Sequence, residues 1–451
     1  MNIRSITSFV KKFCAFFILI SLIGVQLKVP VGAAVNASYV IGAGDFKYEY
    51  KDLLNYYQIY STDYYRNSIT YQIDALGGTI AYESYNSLND QYTDIIVKLA
   101  ELNAAKVSLV AYRDSLTQSQ VVALTGTDTV VTAAADINTE VDNSEVIAEI
   151  NNQIATIDVQ IVQYNISIGS AETNMADAKL QEEVAKFYDT FQCVILQEAQ
   201  NKLSNDFLKK SYGLILTKEQ QDYHQAYQKY LEMVKEIEII KCRLGLSELS
   251  AIDTADLNII KNGALIEKDK ALFYTTFSSI KVDTNINDSS TILLPFTFVK
   301  KTYELNQTVD RFTYNNASVL QLQNFIKSYQ NYLISSGVKS DSLRKQIGLK
   351  IKDYQLQSDT LKMNIKSYVK EAMQSYDNAF KSLDAADKEL VLKTKRCDIV
   401  TAKKNHKRAT ELELRQAINE KEAAEVAYYQ CCYEIVVWQN ILDNYIYGAT
   451  T

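Results

Sequence analysis

From Ile147 the apolar positions of the chain fall in a strict alternation of three and four: Ile147, Ile150, Ile154, Ile157, Ile161, Tyr164, Ile168, Ala171, Met175 and Ala178. A period near 3.5 residues keeps these side chains on one stripe of a helix, and a stripe held for several heptads demands a partner helix. A second seam runs Tyr223, Tyr227, Tyr230, Val234, Ile237 and Leu244. A third runs Ile347, Ile351, Tyr354, Leu361, Ile365, Tyr368, Ala372, Ala379, Leu383, Ala386 and Leu390, with Ser358 filling one place. A fourth takes Leu414, Ala417, Lys421, Ala424, Tyr428, Cys431, Ile435, Trp438, Leu442 and Tyr445.

These seams repeat in order. In the first half a helix from about Ser144 to Lys210 is expected to turn near Tyr212-Gly213-Leu214 and return to about Gly245. In the second half a helix from about Asp341 to His406 turns near Arg408-Ala409-Thr410 and returns to about Gly448. At 1.5 Å per residue each long arm would reach about 100 Å. Each is preceded by another helical stretch, about Tyr48–Leu116 with an interruption at Gly77-Gly78, and about Thr308–Ser335. Between the halves, residues 248–307 read as a linker, with strand-like runs at 271–277 and 291–298. The expected fold class is therefore all-α, with very long antiparallel helical hairpins in two internal repeats and little or no β structure. The repeats span 35–247 and 308–451, with hairpin tips near 212–217 and 406–411.

Composition agrees with long helices. Of 451 residues only two are proline and 14 glycine, where average usage near 5% would give about 20 prolines. Folds that use proline and glycine as punctuation are excluded by such scarcity. Hydrophobic residues make up 47%, which argues against disorder. Residues 1–34 combine a basic start ending at Lys11-Lys12, an apolar run from Phe13 to Leu27 and a small-residue exit at Gly32-Ala33-Ala34. This is the layout of a secretory signal peptide, so the protein is read as exported. That leader holds four cations and no acid. Without it, 43 Lys and Arg face 54 Asp and Glu, a balance of −11, the wrong sign for a nucleic-acid binder.

Little chemistry rises from the pattern. Five cysteines follow the leader, none in CxxC spacing, and His224 and His406 have no metal-ligand arrangement around them. No GxSxG, HExxH or phosphate-cradling glycine loop is present, so neither enzyme activity nor a cofactor is expected. Tyr56-Tyr57, Tyr64-Tyr65 and Tyr428-Tyr429 are read as packing rings with wet hydroxyls. Asp177, Glu182 and Glu183 are read as a solvated face or as lining of a lumen. The densest basic run, Lys403-Lys404-Asn405-His406-Lys407-Arg408, answers a helix C-terminus, or else an acidic partner groove or an anionic membrane surface.

Tyr212-Gly213-Leu214-Ile215-Leu216-Thr217 followed by Gln221 and Ala226, with its counterpart Ala409-Thr410-Glu411-Leu412 followed by Leu414 and Ala417, and the ending Leu442 to Gly448, resembles the TolC-type outer membrane factor family. The resemblance covers nearly all of the chain after the leader. It implies an exit duct of an efflux or type I secretion assembly, a homotrimer in the cell envelope whose hairpin tips dock an adaptor protein and which works with an inner-membrane exporter. By that likeness Tyr212, Gly213, Leu214 and Thr217 are adaptor contacts in the first copy, and Arg408 and Thr410 in the second, which lacks the glycine. The family inserts β-strands between the first and long helices of each half. Here the first insertion, Thr117–Asn143, has room for short strands through Val121–Leu124 and Thr129–Thr132, and the second, about 335–340, is a bare turn. The alternative from another class is an extracytoplasmic coiled-coil interaction protein of the envelope without a lumen.

Overall fold

The computed structural model describes residues 37–42, 46–125, 143–286, 290–296, 299–335 and 341–450. The leader, the strand expected at Thr129–Thr132 and the turn at 336–338 lie outside them. In chain order come β1 (Ala37–Ile41), β2 (Phe46–Glu49), α1 (Tyr50–Tyr60), α2 (Thr62–Thr125), α3 (Ser144–Arg243), α4 (Leu249–Thr284), β3 (Ser290–Phe296), α5 (Leu305–Tyr314), α6 (Ala317–Ser335), α7 (Asp341–Asn405) and α8 (Glu411–Asp443). Among the described residues the chain is all-α apart from one small sheet. No described helix is long and apolar enough to cross a membrane.

Packing divides the chain into two units, and each draws on both halves of the sequence. The first comprises residues up to Gln72, Phe191–Gln323 and Gln355 onward; the second comprises Ile73–Thr190 and Asn324–Tyr354. The division in α3 falls at Phe191, whose φ of −107° and ψ of 16° leave the helical region.

The heptads do what their spacing requires. Every seam position from Ile147 to Ala178 and from Ile347 to Leu390 is buried or half-buried. In the second unit α2 and α3 run antiparallel, with the Lys106–Asp158 ion pair, a Tyr92–Glu172 hydrogen bond and Lys179 over the Tyr85 ring marking the register. Asp177 accepts from the Tyr332 hydroxyl and Glu183 from Asn331, while Glu182 is clamped between Lys179 and Lys186. All three acids thus serve contacts within the unit. The strand expected at Val121–Leu124 is the end of α2, and the Gly77-Gly78 interruption is continuous helix.

The first unit is built on two helix pairs and the sheet. Its strand order is β1-β3-β2, with β1 antiparallel and β2 parallel to β3. Ile292, Leu294 and Phe296 alternate into the core, each 2% exposed or less, and burial of such a side chain stabilises by about 1.5–3 kcal/mol. Pro295 stands in β3 past Leu293, where the β2 pairing ends, so it has a single neighbouring strand, β1, and its missing N–H costs the β2 ladder nothing. Of the two runs expected as strands, 291–298 supplies β3. The other, 271–277, lies inside α4: Phe273 and Phe277 stack one turn apart at 5.8 Å, and helix packing overrides the β preference of Thr, Tyr and Phe.

Candidate docking site at the hairpin turns

The first hairpin of this unit is α3 with α4. Lys210 meets Asp283 at 2.5 Å, His224 meets Asp269 at 2.6 Å and Lys235 meets Asp256 at 2.5 Å. As the numbers rise on α3 they fall on α4, and the pairs converge on residues 244–248. There the Leu246 amide donates to the Lys241 carbonyl at 2.8 Å and the Gly245 amide to Cys242 at 3.0 Å. Gly245 sits at φ +72°. This is a Schellman cap, in which a left-handed residue lets the chain satisfy the last helix carbonyls before it turns. Leu244, Leu246 and Leu249 are 67%, 74% and 71% exposed.

The second hairpin, α7 with α8, repeats that geometry. Lys393 and Arg396 reach Glu420, and Lys404 reaches Glu411. The Arg408 amide donates to Lys403 at 2.7 Å and the Lys407 amide to Lys404 at 2.9 Å. Lys407 takes φ +60°, the place Gly245 holds in the first copy. Thr410 then caps α8 in a capping box: its hydroxyl accepts from the Glu413 amide while the Glu413 carboxylate accepts from the Thr410 amide. The far ends of the return helices match too, with Asn285 after α4 and Tyr445 after α8 both left-handed. The duplication is therefore written in the backbone as well as in the heptads.

Of the six residues singled out by sequence, the structure brings only Arg408 and Thr410 to a turn. At Tyr212, Gly213, Leu214 and Thr217 the expected turn is absent, and α3 runs straight through. Tyr212 is 4% exposed and Leu214 fully buried. The Tyr212 hydroxyl donates to the Pro295 carbonyl at 2.9 Å, and its ring packs edge-on against Tyr50 and Phe296. The Thr217 hydroxyl donates to the Gly213 carbonyl one turn back. A helical glycine is unfavourable by about 1 kcal/mol, and burial of Phe207, Leu208, Tyr212, Leu214 and Ile215 outweighs it. Tyr212 therefore holds the sheet on α3, and the first turn belongs to Leu244–Glu248. The signal for it was Gly245 behind Lys241 and Arg243, a glycine C-cap after cations in the last turn.

One cluster at the middle of the unit gathers charge. Carboxylate oxygens of Glu219 on α3 and of Glu422 and Glu425 on α8 lie within 4.8 Å of one another. Lys421 pairs with Glu422 and Glu425, Lys218 pairs with Asp222, and the Tyr39 hydroxyl donates to Glu219 at 2.6 Å. Glu422 and Glu425 thus share the counter-charge of Lys421, while Glu219 is met by a neutral hydroxyl. Burial raises the Glu219 pKa above its ordinary value, with Glu425, Asp222 and Glu422 adding to the rise against the Tyr39 hydrogen bond. Burial, then Glu425, raises Glu422 as well. A carboxyl raised in this way holds its proton more tightly when folded, so the stability it lends is present below its unfolded value and lost as pH rises through the folded one. Glu219→Gln is therefore expected to raise the melting temperature at pH 8, with the gain over wild type shrinking toward pH 4.5. Calorimetry of both proteins across that range checks this, and a gain that grows on acidification contradicts it. The comparison cancels carboxyls such as Glu420 and Glu411, which their lysine partners hold low in both proteins.

All five cysteines after the leader are unbridged, and burial pushes the Cys432 thiol up to about 12.

No protein-family model matches the chain, and no curated protein does. Solved structures do. The open state of the Neisseria gonorrhoeae MtrE outer membrane channel is 13% identical, with a TM-score of 0.40 over 60% of this chain and 71% of that one. The Campylobacter jejuni CmeC outer membrane channel is 10% identical, with a TM-score of 0.38 over 61% and 67%. The OprN outer-membrane channel is 11% identical, with a TM-score of 0.36 over 82% and 92%. Each of these three matched structures is an outer membrane channel.

Proposed function

We propose that the chain is one protomer of a passive, TolC-like conduit in the cell envelope, serving an efflux or type I secretion assembly and docking a partner protein through its hairpin turns. The observation that carries this reading is that α7, besides its buried seam, exposes large apolar residues on its opposite side, on either flank of the charged places Lys370, Asp377 and Asp384. Its buried seam, from Ile347 to Leu390, already packs within the chain. Leu349, Leu356, Met363, Leu392 and Ile399 are 69%, 58%, 64%, 64% and 55% exposed. At about 100° per residue they lie roughly opposite that seam. A helix striped on opposite sides stands between two neighbours, as a stave stands in a wall, and the second neighbour here comes from another chain. Exposed apolar stripes elsewhere, Ile73, Leu76 and Ile80 on α2 and Val159, Val162 and Ile166 on α3, support the same need. The sequence resemblance supplies the trimer, the adaptor and the inner-membrane exporter as the expected company.

Light scattering on the mature protein tests the reading. A discrete homo-oligomer, three chains by the resemblance, is expected, and Met363→Glu with Leu392→Glu should dissociate it while leaving the helix content unchanged. A monomer or an antiparallel dimer at every concentration favours the envelope spacer without a lumen and defeats the conduit.

A further inference from the structure

The two hairpins of the first unit are out of step. On the faces where α3 meets α8, Asn201 bonds Asn444, Asn205 bonds Asn440, and Glu219 meets Glu422 and Glu425. That register sets Glu411, the first residue of α8, opposite about Glu232, while α3 continues to Arg243. The first hairpin thus overhangs the second by about 11 residues, three turns or roughly 16 Å. Burial agrees: Leu231 is the last buried residue of α3, and on α4 the first is Ala255.

The overhang and the shoulder beneath it differ in chemistry. Exposed on the overhang are Ile240, Leu244, Leu246, Leu249 and Leu257. The shoulder carries Lys403, Lys404, His406, Lys407 and Arg408 in a protein that is acidic as a whole. Its nearby acids are engaged: Glu411 takes Lys404 and Arg415, and Glu413 serves the Thr410 cap. Among the described residues no ion pair holds Lys407 or Arg408. Lys407 moreover keeps a side chain at φ +60°, where the first copy uses glycine. A strained position that retains a cation points to use of that cation.

We propose that this step receives an amphipathic helical segment of a partner protein, apolar along one face and acidic beside it, the apolar face on the overhang and the acids on the shoulder. This deepens the proposed function and rests on its reading of the turns as docking ends. A flat anionic bilayer fits less well. Touching the leading leucines, it would stand about 16 Å from the shoulder, beyond the Debye length of about 8 Å at physiological salt. A second copy fits no better, because parallel copies would set like-charged shoulders at one level.

The test uses the full chain and two labelled synthetic helical peptides with leucine along one face, one flanked by glutamate and the other by lysine, read by fluorescence anisotropy. The Leu/Glu peptide is expected to bind, to weaken as salt rises from 50 to 300 mM, and to lose at least tenfold in affinity with Lys407→Glu plus Arg408→Glu and at least fivefold with Leu244→Asp. Lys407→Gly separates docking from folding: it relieves the left-handed backbone and should raise the melting temperature while lowering affinity. Equal binding of the Leu/Lys peptide, or no response to the charge reversal, overturns the proposal. So does flotation with phosphatidylglycerol vesicles, but not phosphatidylcholine vesicles, that the charge reversal abolishes. An oligomer that forms normally yet ignores the Leu/Glu peptide sinks this inference and leaves the conduit standing.

Discussion

Tyr212→Ala is expected to remove about 3–5 kcal/mol from the stability of the first unit, the loss typical of a large aromatic taken from a core. The ring is 4% exposed, touches Tyr50 and Phe296, and its hydroxyl is the donor to the Pro295 carbonyl. Truncation therefore empties the contact between α3 and the sheet and leaves a strand carbonyl short of its donor. Leu246→Ala, at a turn where the side chain is 74% exposed, should change stability by no more than about 0.5 kcal/mol. Urea unfolding followed by tryptophan fluorescence reads this unit directly, since Trp438 is the only tryptophan and lies on α8. The reverse result, a neutral Tyr212→Ala and a costly Leu246→Ala, would return the turn to 212–214.

His224→Leu should be comparably damaging, at about 3–5 kcal/mol, because it strands a buried carboxylate. Asp269 is 6% exposed, and its carboxylate lies 2.6 Å from the His224 ring. Beside this pair Asn262, 3% exposed, donates to the His224 carbonyl and to Gln228. Together they form a buried polar pin within the contact of α3 with α4, a device that fixes register. Adding Asp269→Leu to His224→Leu removes the stranded charge and lets two apolar side chains meet. The double variant should then recover most of the loss or exceed wild type. The same Trp438 signal checks it, and a double variant as damaged as the single one shows that the two side chains are not coupled.

That pin also explains what the sequence concealed. The seam of α4 runs Ala255, Asn262, Ile266, Asp269, Phe273, Ile280 and Thr284 at heptad spacings, but its polar members break the apolar pattern, and 271–277 then looks like a strand. The long seams of α3 and α7 were legible because nearly every place in them is apolar, and no other element competes for that face. The first hairpin turn was misplaced for a different reason. Around Tyr212 the helix is buried on several sides at once, by the sheet, by α1 through Tyr50 and by α4 through Lys210. A helix apolar all round loses its periodicity and reads like a break. The second turn was legible because the basic run ends at Arg408 between two clear seams, and the structure adds the Thr410–Glu413 capping box at the same place. Its chemistry was visible too. The step between the hairpins was not, since it depends on the register of α3 against α8, which Asn201, Asn205 and Glu219 set across more than 200 positions of chain.

The proposed conduit depends on the outward apolar residues of α7, which it requires to meet another chain in a wall that closes around space. Electron cryomicroscopy of the purified mature protein measures this directly. The expected density is a ring of copies, with Leu349, Leu356 and Met363 packed at the junctions and a continuous water-filled cavity along the axis. A solid bundle without a cavity, or particles in which that stripe faces solvent, would contradict it.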